Sequence, residues 1–209
     1  MTLSFHDGHR EVQDRFDARR LADKLGGVAG EQFDERTKAF VEALDMFFLA
    51  TTDTDGFPDC SYKGGEPGFV KVVDANTLAF PVYDGNGMFR SLGNITVNPR
   101  VGMLFVDLEG GSRLRVNGTA QIAYEGPLVD SFAGAIAVVT VEAQAIFANC
   151  RRYVHEYRKV TPSPFVPATD GEPVPVPDWK RDPWFDGTLP EGDPALDPSR
   201  PSAPAIPHF

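Results

Sequence analysis

RVGMLFVDLEGGSRLRVNGTAQIAY, residues 100–124, is the stretch from which the fold is read. Its first part, RVGMLFVDL, is apolar at successive positions, as a strand covered on both faces is. Gly110-Gly111 supplies a turn. Beyond it, Leu114, Val116, Ala120 and Ile122 fall on one side of a period-two pattern, and Arg113, Arg115, Asn117, Thr119 and Gln121 on the other. One face therefore meets a core while the other carries basic and polar groups, which predicts antiparallel sheet.

The flanking segments extend that sheet. Upstream, FFLATT (47–52) and FPDCSYK (57–63) read as a hairpin around Asp53-Thr54-Asp55-Gly56, with Gly56 supplying the positive φ of the turn. Gly64, Gly65, Pro67 and Gly68 interrupt the meander, and FVKVVD (69–74) with TLAFPV (77–82) forms a second pair across Ala75-Asn76. Between residues 86 and 97 the alternation fails. Met88, Leu92 and Ile95 recur at helical spacing and predict a short helix ending before Asn98-Pro99, because a residue preceding proline is pushed out of the α region. Downstream, a helix is predicted from Gly126-Pro127 to residue 135, a last strand over 138–147 and a closing helix over 151–159. Ahead of the sheet, Phe33, Thr37, Phe40, Val41 and Leu44 predict an amphipathic helix over 34–45 with Asp34 as its N-cap.

The expected organisation is an N-terminal helical arm (1–33), a mainly β barrel domain with flanking helices (34–160) and a C-terminal tail (161–209). The tail holds 13 of the 18 prolines and no long apolar run, so it is read as extended and coreless. Its Trp179, Trp184 and Phe185 are costly to leave in water, which predicts that it drapes over the barrel or over a second subunit. A net charge of −10 repels polyanions and excludes non-specific attachment to nucleic acid or an anionic membrane. Without a secretion-type apolar run at the start or a membrane-spanning stretch, a cytoplasmic location is expected. Cys60 and Cys150 lack metal-ligand spacing and read as free thiols.

Several segments taken together, SYKGGEPGFVKVVD (61–74), YDGN (83–86), RSLGNITVNP (90–99), VGMLFVD (101–107) and LRVNG (114–118), resemble the pyridoxamine 5'-phosphate oxidase-like FMN-binding split barrels. The resemblance implies an FMN-dependent oxidoreductase with a small-molecule substrate, working as a homodimer with each flavin at the subunit interface. It assigns Arg90 and Ser91 to the FMN phosphate near the start of the predicted helix, with Asn86 beside them and Ser61 and Lys63 on the facing strand. A helix N-terminus with free N–H groups, hydroxyls and cations suits a phosphate.

Gly68, Phe69 and Val70 match the strand whose backbone meets the flavin ring in the family, with an ordinary core strand as the alternative for Phe69. Arg113 matches a position near the flavin, where a cation would favour the reduced ring; an intersubunit ion pair is the other reading. No catalytic side chain is identifiable. The Arg-Lys pair and the C-terminal Arg and His of the enzymes that oxidise pyridoxamine phosphate have no full counterpart: the helix offers Arg90-Ser91, the tail only His208, and Lys71 reads as a surface residue near a substrate-lysine position. A deazaflavin or haem in place of FMN, with His155 as the axial ligand to test, and a non-catalytic flavin-binding module are the alternatives.

Overall fold

The computed structural model describes residues 3–167 and 173–203. Seven antiparallel strands form one sheet: β1 (Met46–Thr52), β2 (Pro58–Gly64), β3 (Lys71–Val72), β4 (Thr77–Val82), β5 (Arg100–Val106), β6 (Arg113–Ala123) and β7 (Ala137–Asn149), in the order β2-β1-β5-β6-β7-β4-β3. β1 and β4 lie four strands apart in that order, about 19 Å if the sheet were flat. Yet the Phe47 and Phe80 rings sit 5.0 Å apart, with Phe105 5.1 Å from Phe47. The sheet therefore curls round until its two wings share one core, a split barrel filled by Leu49, Leu78, Met103, Val116, Val139 and Val141. Burial of these apolar side chains, each worth roughly 1.5–3 kcal/mol, is the main stabilising term.

The period-two pattern of 113–123 is realised as read: Leu114, Val116 and Ala120 are buried, while Arg115, Asn117 and Gln121 are exposed. Its regularity breaks once. Asn117 pairs with Ala145 and Gly118 with Ala143, so Gln144 is the extra residue of a bulge. Any Cβ at Gly118 would collide with the Glu142 carbonyl, so the bulge admits only glycine there.

Helices close the barrel. α3 (Glu35–Ala43) begins at Asp34, whose carboxylate accepts the Thr37 N–H at 2.8 Å. It buries Val41, and Glu42 ties it to the other wing by accepting Gly68 N–H at its carbonyl (2.7 Å) and Val72 N–H at its carboxylate (2.9 Å). α4 (Arg90–Val97) lies across β1, held by Asn94 Nδ2 donating to Thr51 Oγ1 (3.0 Å) and Asn98 Nδ2 donating to Thr52 Oγ1 (2.6 Å). That pair of amides anchors the C-terminal half of the helix to β1.

The N-terminal arm comprises two helices, α1 (Asp7–Arg15) and α2 (Arg19–Gly26), separated where Asp17 takes a positive φ of 48°. Three expectations for the barrel domain need correction. Residues 68–70 form a turn and bend: Gly68 at φ 88° and the Phe69 N–H bonded to the Glu66 carbonyl leave only Lys71–Val72 as strand. The helix after Gly126 is the single turn α5 (Pro127–Asp130), and Gly134 at φ 70° turns the chain before β7. No helix forms over 151–159. Tyr153 adopts φ 69°, and the Tyr157 N–H bonds across to the Leu108 carbonyl instead of within its own segment.

The chain divides into two compact units at Arg158/Lys159. The second, read as coreless, has a small polar-centred fold of its own. β8 (Val176–Pro177) pairs in parallel with β9 (Ser202–Ala203). Arg181 binds the Asp197 and Arg200 carbonyls and the Ser202 hydroxyl, and Lys180 Nζ meets Asp193 at 2.8 Å with both side chains almost wholly buried. The Trp179 and Phe185 rings meet edge-on at 5.1 Å. Among the described residues no helix is long and apolar enough to cross a membrane.

Candidate functional site

Alternation along β2 points Asp59, Ser61 and Lys63 to one side, because residues two apart share a face of a strand. Lys63 and Ser61 lie opposite Phe47 and Leu49 of β1, so this side is continuous with the barrel interior at its open edge. The N-terminus of α4 comes down over it. Ser91 is only 8% exposed, and its Oγ lies 3.0 Å from Ser61 Oγ and 3.5 Å from Lys63 Nζ. Arg90 reaches the same edge, where its Nε donates to Asp59 Oδ1 at 3.1 Å. The N–H groups of the first turn of α4 have no preceding carbonyl to bind and carry the positive end of the helix dipole.

Between these groups and the loop from Val82 to Phe89 is a cavity of about 270 Å³. Burial holds the Lys63 ammonium below its ordinary pKa, with the Asp59 carboxylate working in the opposite direction. Burial pushes the Tyr83 phenol on the facing wall upward, and the Glu66 charge adds to the shift. Two hydroxyls, an ammonium, a guanidinium and a helix N-terminus on one side of a cavity suit a tetrahedral dianion such as a phosphate monoester.

Five of the residues singled out from the sequence, Ser61, Lys63, Asn86, Arg90 and Ser91, line this cavity together. Asn86 does so from the loop before α4, where its side-chain oxygen accepts the Met88 N–H at 3.1 Å. Gly68, Phe69, Val70 and Arg113 are not among its lining. Phe69 and Val70 turn their side chains into the barrel core. Arg113, at the start of β6, donates to the Cys150 carbonyl. Lys71 is engaged elsewhere, with Nζ 3.0 Å from the Ser131 carbonyl and 4.1 Å above the Phe132 ring. His155 is exposed beyond β7, His208 lies outside the described residues, and among the described residues no group of His, Cys, Asp or Glu could hold a metal ion.

Asp59, Tyr83 and Phe89 line the cavity without having been anticipated. YDGN flagged the neighbourhood of Tyr83, whereas nothing local marks Asp59, whose partner is 31 residues away. Phe89 takes a left-handed conformation (φ 45°, ψ 33°) as N-cap of α4, which is rare for an aromatic residue.

Among solved structures the chain is similar to HupZ of Group A Streptococcus (21% identity over 60% of this chain and 100% of that one, TM-score 0.46). It is also similar to an FMN-binding protein of Syntrophomonas wolfei (9%, 69% and 96%, TM-score 0.42). HutZ, the haem storage protein of Vibrio cholerae, is another such structure (17%, 56% and 94%, TM-score 0.40). No curated protein matches the chain. Residues 33–156, more than half of the 209, match the family described as pyridoxamine 5'-phosphate oxidase. With that match spanning β1 to β7 and the whole cavity, the chain belongs to the pyridoxamine 5'-phosphate oxidase family.

Proposed function

We propose that this protein is a cytoplasmic FMN-dependent oxidoreductase acting on a small molecule, with the flavin phosphate seated at the N-terminus of α4. The observation that carries the reading is the convergence of Ser61, Lys63, Arg90 and Ser91 on one cavity. When bound, FMN supplies the hydride and electron chemistry, so the absence of an acid–base constellation from the described cavity is no obstacle. The task of the chain is binding and electrostatics. Ser61 and Ser91 donate hydroxyls, and Lys63 and Arg90 balance the phosphate charge, Lys63 within a partly dehydrated wall where a charge-assisted bond is stronger. The backbone of Gly68, Phe69 and Val70 is assigned to the pyrimidine edge of the ring.

Arg113 is assigned to the flavin of a partner subunit in a homodimer. This is supported by the row Tyr62, Phe48, Leu104, Arg115 and Phe147, which runs directly across β2, β1, β5, β6 and β7 on the outer face of the sheet. Cross-strand partners share a face, so three aromatic side chains and a leucine form one surface band there.

An absorption spectrum of the purified protein, before and after adding FMN, tests the reading against the Arg90→Ala/Ser91→Ala variant. Flavin bands that weaken in the variant are expected. A wild-type protein that ignores FMN would overturn it.

A further inference from the structure

A second cavity, of about 450 Å³, adjoins the first and shares Met88, Phe89 and Leu92 with it. The rest of its wall comes from Gly93 and Thr96 of α4 and from Tyr124, Ile136 and Ala137, where β6 has ended and β7 begins. The two cavities differ in chemistry. Asp59, Lys63 and Arg90 line the first, whereas no described residue lining the second is charged, in a chain of which 24% of the residues are. A charged ligand would lose hydration on entering and find no counter-ion, so the second cavity favours an uncharged one.

Gly93 sits in the middle of α4, where glycine weakens a helix relative to alanine. A Cβ at this position would meet nothing within 4 Å, so no neighbour in the chain demands the glycine; what the missing side chain provides is room on the cavity wall. Phe89 holds the left-handed conformation that is costly for an aromatic residue, and it lines both cavities, so the strain is stored where they meet. Met88, Tyr124 and Ile136 are 65%, 64% and 44% exposed, apolar surface that a ligand would take out of water. Of the two hydroxyls on the wall, Thr96 Oγ1 already donates to the Gly93 carbonyl at 2.7 Å, while the Tyr124 phenol can give or accept one hydrogen bond.

We propose that this cavity is a binding site for an uncharged aromatic small molecule carrying a single polar group. Its volume falls within the range of small-molecule sites, roughly 300–1,000 Å³. Phe89 and Tyr124 offer rings and Met88 a polarizable thioether, all of which favour an aromatic ligand. A flat ring system can lie close against the helix backbone at Gly93, where a larger side chain would stand in its way. The site is separate from the groups assigned to the flavin phosphate and does not depend on that assignment.

Fluorescence titration of the full chain with N-phenylnaphthylamine, a neutral dye of two aromatic groups joined by one N–H, tests it in the wild type and in two cavity-filling variants, Gly93→Leu and Thr96→Phe. Both positions are exposed on α4, and circular dichroism checks that the variants fold. A saturable rise in dye fluorescence is expected with the wild type, and a weakening of at least about tenfold with either variant. Anilinonaphthalene sulfonate, which adds a negative charge to the same skeleton, is expected to bind more weakly than the neutral dye. The proposal is overturned if the wild type gives no saturable rise, if the sulfonate binds as tightly as the neutral dye, or if both variants bind the dye as the wild type does, which would place it elsewhere on the surface. Failure of FMN to bind the same wild-type protein would instead overturn only the flavin reading.

Discussion

Lys63 lines the cavity with a charge that is buried at the expense of the fold. Burial depresses its pKa from the ordinary 10.5, so between the lowered value and 10.5 the unfolded chain holds more of this proton than the folded one. Stability therefore rises with pH across that window, and the penalty on the charged form is fully present below it. Lys63→Met is accordingly expected to melt higher than wild type at pH 7, with the gap narrowing toward pH 10.5, while its FMN affinity falls at least about tenfold and its riboflavin affinity does not. Thermal melts at several pH values with flavin titrations check both halves. Equal losses for FMN and riboflavin would place Lys63 away from the phosphate.

That Lys63 lines the cavity could be expected from its place in SYKGG once the resemblance was recognised; its partners could not. Asp59 and Ser91 come to it from the same strand and from a helix held against β1 by Asn94 and Asn98.

β6 and β7 form the longest ladder of the barrel, and their one irregularity rests on Gly118. Gly118→Ala must displace the Glu142 backbone or the Val141 side chain, both of which are fixed within the sheet. A loss of about 2–4 kcal/mol in chemical denaturation is expected, against less than about 0.5 kcal/mol for Gln144→Ala on the exposed limb of the same bulge. Strands whose side chains alternate in polarity were legible because burial on one face imposes period two. The elements that were missed lack such a stripe. The segment 151–159 is charged and nearly all exposed, so its conformation follows from the carbonyl of Leu108 and the αL turn at Tyr153, neither of which leaves a periodic trace. Residues 68–70 read as strand because FVKVV has the composition of one, while the Glu42 carbonyl draws the Gly68 N–H out of any ladder.

For the molecule as a whole, the band across the outer sheet face predicts association. Leu104→Lys is expected to shift the protein from dimer to monomer in light scattering at micromolar concentration and, on the proposed assignment of Arg113 to a partner's flavin, to weaken FMN binding. A monomeric wild type would contradict this. The second unit contains both tryptophans of the chain, so their fluorescence reports on it selectively. Burial raises the Asp193 pKa, but the Lys180 ammonium and the Ala195 N–H outweigh it and leave the carboxyl lowered from 3.8. This contribution is present above 3.8 and lost as pH falls through the lowered value. Asp193→Asn removes the carboxylate charge 2.8 Å from the buried Lys180 ammonium, and the fluorescence transition is expected at lower denaturant, by about 3 kcal/mol.

The succession of strands along the chain, the place of α4 and the polar character of the cavity beside it were all inherent in the chain, because periodicity, turn residues and the family's segments are local. The closing of the sheet on Phe47, Phe80 and Phe105, the pairing of Asp59 with Arg90, the polar centre of the proline-rich unit and the bond from Arg113 to the Cys150 carbonyl came from folding, because each joins residues that no local pattern relates.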